Sequence, residues 1–534
     1  MKSVRFEETS VRRPTCRSNN SSCLGGFARL YQVIQELRRE KPDALLLNAG
    51  DSFQGTYWYT LLKWNVTQHF MNMLPHDAHA LGNHEFDDGV AGLEPYMRAL
   101  DAPVIAANMD IEREPKLAGL YEPHVVVERG GRRIGLIGLI TPDTAGSSNN
   151  HMRLKKGKGV WKNHEISQGP IPCSLSSPGN VKFTDPLEAV ERESAALIDK
   201  GVDIIVVLSH CGLSVDKIIA RDHGKNVDVI VGGHSHSLLW NGPAPSDEAV
   251  AGPYPVTVQA TADSEHRVLI VQASAFTKYI GNLSVYFDYR GEYVKWDGGP
   301  MFLNRSYPED EDIKAKLAPF ASLVHEAENI KIGETKKTLE SDDCVFGECA
   351  IGDVLTDALN ERAKEVVVSD LDYLAFIQRG NIKFPLVEGD ITQGDLFEVL
   401  PYYDRVESFE LRGRDVLAAL EHGVAGAWRI SPFKGPWVLQ VSGLFVTYNV
   451  SLEEGARVTS VYIGDNSTVE LDLDKFYQVT APAFLADGGD NFTMFKTEKR
   501  NVKYIGRDQD LVDAYIKKYS PLDPTVEGRI KINY

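Results

Sequence analysis

The 534-residue sequence predicts an α/β protein of two domains, and three observations support this. Apolar runs typical of buried strands alternate along the chain with segments whose apolar residues recur at helical spacing. With 43% hydrophobic and 25% charged residues, the chain is too apolar to be disordered and too long for a single ordinary core. Polar residues suited to metal binding follow several apolar runs, which is where open α/β sheets collect their ligands.

The net charge of −18 restricts the ligands that the chain can bind. A strongly acidic protein repels nucleic acid and anionic lipid, so we predict no nucleic-acid partner. An anionic ligand must then be met by a local positive feature such as a metal ion or an arginine pocket.

The first predicted elements lead to two polar loops. A helix is predicted after Gly25-Gly26, where apolar residues lie at helical spacing at Leu30, Val33, Ile34 and Leu37. The stretch DALLLNAGDSFQG predicts a buried strand that ends at Asn48, with Asp51 in the following loop. In HALGNHEFDDG, Asn83 and His84 follow a second apolar run.

Two later strands end at histidines. GVDIIVVLSHCG predicts a strand that delivers His210, and VDVIVGGHSHS predicts one that delivers His234 and His236. Glycine precedes three of the polar residues in these loops and allows the sharp turns that aim side chains inward; these glycines are Gly50, Gly82 and Gly233.

Asp51, Asn83, His210 and His234 form a candidate metal site. Oxygen and nitrogen donors after four separate strands suit Zn²⁺ or Mn²⁺ better than a thiolate-bound structural site. Each residue alone has an ordinary structural explanation, such as an Asx-turn for the Asp and Asn or a helix-capping role for His210. Their common position makes a shared metal site the better interpretation.

The predicted domains are residues 1–307, a connecting helix at 308–330 and a smaller domain at 331–534. The connector begins with Pro308 and four carboxylates, which is typical of a helix N-terminus, and continues with apolar residues at helical spacing. Residues 151–180 are rich in Gly, Ser, Lys and Pro, and we interpret them as a surface insertion.

Cysteines and glycosylation sequons predict a secreted protein. Two close cysteine pairs, Cys16 with Cys23 and Cys344 with Cys349, suit small disulfide loops, with zinc binding as the alternative. Sequons of the form N-x-S/T occur at Asn19, Asn20, Asn65, Asn282, Asn304, Asn449, Asn466 and Asn491. The sequence shows neither an apolar leader at MKSVRFEETS nor a lipid-anchor tail at EGRIKINY, so no membrane anchor is predicted.

The motifs NAGDSFQGT, ALGNHEFDDG, LSHCG and GGHSH together resemble those of the 5′-nucleotidase family, within the calcineurin-like metallophosphatases. The C-terminal part, through APAFLADGGDNF and VEGRIK, is similar to the nucleotide-binding domain of animal ecto-5′-nucleotidases and of secreted apyrases of blood-feeding arthropods. The resemblance covers nearly the whole chain. It implies an N-terminal metallophosphatase-like α/β sandwich, joined by a helix to a smaller α/β nucleotide-binding domain.

The resemblance also implies roles for the N-terminal residues. Two divalent ions, Zn or Mn or else Ca or Mg, would share Asp51 as a bridge. The second ion would also be bound by Asn83, His210 and His234. For the first ion, only Asp51 and His236 would remain as ligands. His84 would stabilise charge on the transferring phosphoryl group, with Asp87 orienting its imidazole.

The family's Asp-x-His, which supplies two ligands of the first ion, falls at positions held here by Met1 and Ser3. Only one metal site is therefore complete in the sequence. We expect a truncated copy of a secreted enzyme, because removing a strand from inside a sheet leaves unpaired backbone groups and exposes apolar side chains. The alternative is a protein that has lost the strand and no longer hydrolyses its ligand.

In the C-terminal domain, the resemblance implies that Tyr402 and Phe484 stack a nucleotide base and that Asp490 binds the ribose hydroxyls. Ordinary core packing is the alternative for the two rings. The phosphate-side contacts depart from the family pattern, because Val345 replaces an arginine and only Gln378 and Lys383 remain. Two candidates to compensate are Arg379 and Arg405.

The predicted function is that of a secreted metal-dependent hydrolase of extracellular adenine nucleotides. By resemblance to apyrases and 5′-nucleotidases, it would remove phosphate from ATP, ADP or AMP and so limit platelet aggregation. The alternative is a non-hydrolytic secreted protein that inhibits platelet aggregation by blocking a platelet receptor or by sequestering nucleotides. The substituted phosphate contacts favour this alternative.

Overall fold

The structure, a computed structural model, describes residues 5–10, 16, 23–53, 56–145, 178–261, 266–425, 438–464 and 468–534. These residues form two compact units. The first takes in the described residues up to 145 and from 178 to 324, and the second runs from 325 to 534. The predicted insertion at 151–180 lies outside the described residues except for its last three positions.

The first unit contains both helices and strands. Its helices, the last of which crosses the boundary, are α1 (Phe27–Glu40), α2 (Tyr57–Met71), α3 (Gly89–Ala99), α4 (Pro186–Asp199), α5 (Leu213–Ile218) and α6 (Glu311–Glu328). Its strands are β1 (Leu47–Asn48), β2 (Ala78–Ala80), β3 (Val104–Ile105), β4 (Met109–Asp110), β5 (His124–Arg129), β6 (Arg132–Ile140), β7 (Lys182–Phe183), β8 (Ile204–His210), β9 (Val229–Gly232), β10 (Leu238–Leu239), β11 (Val250–Gly252), β12 (Val256–Gln259), β13 (Arg267–Val271), β14 (Tyr279–Phe287) and β15 (Tyr293–Phe302).

Two sheets pack face to face in the first unit. Strands β1, β2 and β3 form a parallel three-stranded sheet, and the other sheet has the order β12-β13-β9-β8-β6-β5 with its four central strands parallel. Apolar side chains from both sheets, including Ala80, Ile105 and Leu208, share one core. Gly138 on β6 permits this approach, because a Cβ there would overlap the Ile105 carbonyl. The predicted α/β sandwich is confirmed.

Helices cover the outer faces of both sheets. Val190 and Leu197 of α4 pack with Ile205 and Val207 on the outer face of the six-stranded sheet. Helix α1 buries three of its four predicted apolar residues, and Leu37 packs against the same core while partly buried.

The predicted connector contains α6. Asp310 Oδ1 accepts the Ile313 N–H at 2.9 Å and so caps the start of the helix. Ile313, Leu317 and Val324 of α6 pack into the core of the first unit, which ends within this helix. That α6 joins two functional domains remains a proposal.

The second unit begins at residue 325, within α6, and its first strand is β16. Its strands are β16 (Lys331–Thr335), β17 (Tyr373–Gln378), β18 (Gly389–Thr392), β19 (Arg405–Arg412), β20 (Leu439–Ser442), β21 (Leu444–Asn449), β22 (Val458–Ile463), β23 (Val469–Glu470), β24 (Phe476–Pro482), β25 (Arg500–Arg507) and β26 (Ile530–Asn533). Its helices are α7 (Ala350–Val366), α8 (Gln393–Val399), α9 (Gly413–Gly423), α10 (Ala483–Ala486), α11 (Thr493–Glu498) and α12 (Asp508–Tyr519).

A mixed five-stranded sheet, in the order β20-β17-β24-β19-β25, forms the centre of the second unit. A four-stranded sheet, β23-β22-β21-β26, shares a core with it through residues such as Phe376, Phe409 and Tyr448. Helix α7 packs in a separate core that includes Ile351 and Leu355. The smaller α/β unit of the prediction is therefore present.

Both predicted disulfides, Cys16–Cys23 and Cys344–Cys349, are formed. Cys211 is a buried thiol, and burial raises its pKa above the ordinary value. The remaining cysteine, Cys173, lies outside the described residues. Among the helices that the structure describes, none is both long and apolar enough to span a membrane.

Candidate functional sites

The predicted metal ligands meet at one edge of the two-sheet sandwich. Asp51 follows β1 and Asn83 follows β2, while His210 ends β8 and His234 follows β9. One ligand atom from each of Asp51, His210 and His234 lies within 4.8 Å of the other two. Asn83 Oδ1 lies 3.0 Å from His234 Nδ1. The four residues are therefore brought together from both sheets.

The hydrogen bonding of His210 tests whether this cluster fits a metal ion. Its Nδ1 donates to the carbonyl of Ala49 at 2.6 Å, which leaves a lone pair on Nε2 in the neutral ring. Nε2 is buried, has no hydrogen-bond partner among the described residues and lies 3.0 Å from Asp51 Oδ2. Two electron-pair donors so close together suit a shared cation, and a metal-bound histidine ordinarily donates its other N–H to such a carbonyl. The donors fit a divalent metal.

Several residues at this edge have left-handed backbone conformations. Asp51 has φ 57°, His234 has φ 69° and His236 has φ 52°. For residues other than glycine, this region costs on the order of 1–3 kcal/mol each and persists only where the surroundings hold it. The fold therefore imposes these side-chain directions against a local preference.

Two loops touch at the predicted glycines. A Cβ on Gly50 would lie 2.5 Å from the Gly82 backbone nitrogen, and a Cβ on Gly82 would overlap the Asp51 carboxylate. Any side chain at either position would push the loops after β1 and β2 apart. These glycines therefore set the distance between Asp51 and Asn83.

Glu85 joins the same two loops, although no sequence pattern described above assigns it a role. Its buried carboxylate accepts the backbone N–H of Asp51 at 2.8 Å, of Phe53 at 3.2 Å and of Gly82 at 2.6 Å, and also that of Ser52. One signal could have found it. An acidic residue three positions after Gly82 at the start of the turn Asn83–Phe86 is typical of helix N-terminal capping.

His84 lies beside the metal ligands in a fixed orientation. Its backbone N–H donates to Asp51 Oδ1 at 2.9 Å, and its ring Nδ1 donates to Asp87 Oδ2 at 2.8 Å. Both side chains of this pair are buried. The Asp87 carboxylate thus holds the ring in this orientation.

His236 is the predicted ligand that lies outside the cluster of Asp51, His210 and His234. Its ring packs edge-on against Phe276, with 5.2 Å between ring centroids. The positions aligned with the family's Asp-x-His, Met1 and Ser3, lie outside the described residues.

In the second unit, the predicted ligand-binding residues form linked pairs. Gln378 Nε2 donates to Asp490 Oδ2 at 2.7 Å. Lys383 Nζ lies 5.2 Å from the centroid of the Tyr402 ring, which is a cation–π contact. The Phe484 ring lies against the backbone of Gly489. Among the described residues, neither Tyr402 nor Phe484 belongs to a hydrophobic core, and both are only partly buried.

Burial shifts the pKa of Asp490, and its neighbours oppose the shift. Burial raises the pKa of Asp490 to about 6, while the positive charge of Lys383 and the hydrogen bond from Gln378 oppose the rise. Lys383 therefore lies near Asp490 and Tyr402, the residues predicted to bind the ribose and the base.

The two candidate compensating arginines are engaged elsewhere. Arg379 donates to the Ile382 carbonyl and, at 3.2 Å, to Asp342 Oδ1. The Arg405 guanidinium lies 5.3 Å from the Tyr504 ring centroid. Val345 is buried in the short turn that also contains the disulfide-bonded Cys344.

Comparison with known proteins is consistent with this geometry. A calcineurin-like phosphoesterase model matches residues 21–238, and a model of the 5′-nucleotidase C-terminal domain matches residues 331–497. The chain is 38% identical to an apyrase of Tabanus yao, covering 99% of this chain and 92% of that one. It is 37% identical to a 5′-nucleotidase of Bos taurus, with 99% and 89% covered. A crystal structure of a 5′-nucleotidase precursor from Thermus thermophilus is similar with a TM-score of 0.76 and 33% identity, covering 99% and 97%.

Replacing Glu85 by Ala should weaken metal binding. Loss of the acceptor that joins the loops frees Asp51 to move relative to Asn83, so we expect Zn²⁺ affinity to fall about 10–100-fold. Glu85→Gln keeps one acceptor oxygen and should give an intermediate loss. Titration calorimetry with Zn²⁺ measures the effect.

The matched control is Glu94→Ala, which removes a partly exposed glutamate that pairs with Arg98 on α3. This control should bind Zn²⁺ as the unmodified chain does. Equal Zn²⁺ affinity in Glu85→Ala and in the unmodified chain would show that the loops do not depend on this carboxylate.

Proposed function

This chain belongs to the 5′-nucleotidase family, and on that basis we propose that it is a secreted, metal-dependent hydrolase of extracellular adenine nucleotides. Because its domains match this family and its relatives are named apyrase and 5′-nucleotidase, the chain is a nucleotide phosphohydrolase. The main support for the proposal is that four side chains suited to metal binding, each from the end of a different strand, lie together beside the His84–Asp87 pair. Relatives named apyrase and relatives named 5′-nucleotidase are almost equally similar, so the proposal covers ATP, ADP and AMP.

The proposed chemistry assigns a task to each residue of the first unit. A divalent ion held by Asp51, Asn83, His210 and His234 would supply Lewis acidity towards the phosphoryl oxygens. His84, with its ring fixed by Asp87, would stabilise negative charge on the phosphoryl group or its leaving oxygen and deliver a proton to that oxygen. Glu85 would hold the two loops in place while this happens.

The proposed nucleoside site lies in the second unit. Tyr402 and Phe484 would stack the base, because both rings are partly exposed and lie outside the hydrophobic cores. Asp490, held by Gln378, would accept hydrogen bonds from the ribose hydroxyls. Lys383 would keep a positive charge near the nucleotide, without the bidentate geometry of arginine.

We propose secretion because of the two disulfides and the glycosylation sequons. Two disulfides suit an oxidising compartment, and the sequon residues Asn65 and Asn491 are exposed. Removal of phosphate from extracellular ADP would limit platelet aggregation, which is the physiological role that we propose.

Replacing Phe484 by Ala tests the base site. If this ring stacks on the base, adenosine binding should weaken by roughly 1–3 kcal/mol, the range for base stacking on aromatic side chains. Calorimetry measures the affinity and thermal unfolding reports the fold. Tyr519→Ala, which removes an exposed aromatic ring at the end of α12, is the control. Unaltered adenosine affinity, or failure of the variant to fold, would indicate that Phe484 packs within the fold and does not stack on the base.

Adenosine binding should depend on pH through Asp490. With a pKa of about 6, its carboxyl is protonated below that pH and ionised above it. The ionised form is the stronger acceptor for ribose hydroxyls, so affinity should rise between about pH 5 and about pH 7. The effect of Asp490 on folding stability has the opposite pH dependence. Because its pKa is raised in the folded chain, the free energy of unfolding falls as the pH rises and the carboxyl ionises. Calorimetry across this range should show the rise in the unmodified chain and a flatter profile in Asp490→Asn.

Hydrolysis is tested by phosphate release from ATP, ADP and AMP, measured together with bound metal. The proteins are the 534-residue chain, the chain extended by an N-terminal strand carrying Asp-x-His, and His84→Ala in the extended chain. His84→Ala should lower turnover by about 10²–10⁴-fold without loss of metal, because it removes a proton donor and not a metal ligand. His223→Ala, which removes a surface partner of Glu191, is the control.

One result would replace the enzyme by the alternative of a nucleotide-sequestering or receptor-blocking protein. If the extended chain binds two metal ions and adenosine but releases no phosphate from any nucleotide, the altered contacts at Val345, Gln378 and Lys383 have removed catalysis.

A further inference from the structure

The segment that follows Tyr402 is strained. Tyr403 has φ 51°, in the left-handed region that is disfavoured for any residue other than glycine, Asn or Asp. Such a conformation persists only where neighbouring groups hold it, and it is often found at ligand sites. Tyr403 lies between a proposed base-stacking ring and the buried carboxylate of Asp404.

Three contacts hold this segment in place. The Tyr403 carbonyl accepts a hydrogen bond from Arg507 Nη1 at 3.0 Å, and the Tyr403 hydroxyl donates to Asp510 at 2.9 Å. The Asp404 carbonyl accepts the backbone N–H of Asp508 at 2.9 Å. The end of β25 and the first turn of α12 therefore fix the backbone beside Tyr402.

A fourth contact reaches the backbone of Phe484, the second proposed base-stacking residue. Asp404 Oδ2 accepts the backbone N–H of Phe484 at 3.0 Å. The antiparallel pairing of β19 with β24 ends at Val406 and Pro482, and in the same register Asp404 lies opposite Phe484. Beyond the last strand pair, the Asp404 side chain therefore links the two chain segments through the Phe484 N–H.

Burial of the Asp404 carboxyl costs free energy in the folded protein. Burial of the Asp404 carboxyl, with Asp487 nearby, raises its pKa to about 6, while the Arg507 charge and two backbone N–H groups oppose the rise. A buried carboxylate is retained only where donors compensate its lost hydration. Here those donors include the N–H of Phe484.

We infer that Tyr403 and Asp404 form a brace, which fixes the Tyr402 ring relative to the Phe484 ring and so preforms the nucleoside site. Asp404 is a positioning residue, because it contacts the backbone of Phe484 and not the base. The inference rests on the proposed function, since it presupposes that the two rings bind a nucleoside. A preformed site binds more tightly because less conformational freedom is lost on binding.

Calorimetric titration with adenosine tests the brace in the full chain. Asp404→Ala removes the acceptor for the Phe484 N–H and should weaken adenosine binding about tenfold, the size expected for one charge-assisted hydrogen bond. Asp404→Asn keeps an acceptor oxygen at the same place and should restore most of the affinity. Asp353→Ala removes another buried carboxylate of the same unit, which faces Arg529, and should bind adenosine normally.

The outcomes separate the brace from the function on which it rests. An unmodified chain that binds no adenosine would overturn the nucleoside site itself. An unmodified chain that binds adenosine, with equal affinity in Asp404→Ala, would overturn the brace alone, and so would failure of Asp404→Asn to restore binding. If Asp404→Ala does not fold, the adenosine affinity of Tyr403→Phe is the deciding measurement, because this variant removes only the hydrogen bond to Asp510. A loss of about threefold or more then supports the brace and unchanged affinity contradicts it.

Discussion

The buried Glu85 carboxylate is the contact on which the geometry of the first site depends. Burial and the nearby charge of Asp51 raise the pKa of Glu85, and four backbone N–H groups offset part of this cost. These donors belong to the loops after β1 and β2, so the carboxylate fixes Asp51 relative to Asn83. The packing of the two sheets then fixes both residues relative to His210 and His234. Backbone geometry thereby sets the positions of the donor atoms.

Much of this arrangement follows from sequence pattern, because strong apolar runs precede Asp51, His210 and His234 and the carboxyl ends of parallel strands share an edge. The division into two units and both disulfides also follow from the sequence. The role of Glu85 follows only in part: its position three residues after Gly82 indicates a helix cap, whereas its bonds to the loop after β1 depend on tertiary packing. The contact of Lys383 with Tyr402 was also missed, since it depends on tertiary packing that spacing along the chain does not encode.

The two units use the same device to position side chains. In the first, Asp51 has a left-handed backbone and its N–H is held by the buried carboxylate of Glu85. In the second, Tyr403 is left-handed, and the adjacent buried carboxylate of Asp404 holds the N–H of Phe484. In each case a carboxylate accepts backbone N–H groups from another loop, where a sheet ladder can no longer make the connection. Loop conformations at both sites are therefore held by hydrogen bonds from backbone N–H groups to buried carboxyl groups.

The origin of the four donor residues has a consequence for the stability of the first unit. Asp51 and Asn83 come from the three-stranded sheet, whereas His210 and His234 come from the six-stranded sheet. An ion bound by all four would act as a cross-link between the sheets and resist sliding of one sheet over the other. Its binding free energy would then count towards folding, because the unfolded chain does not assemble the four donors. Chelation would therefore loosen the whole sandwich and not only the loops at its edge.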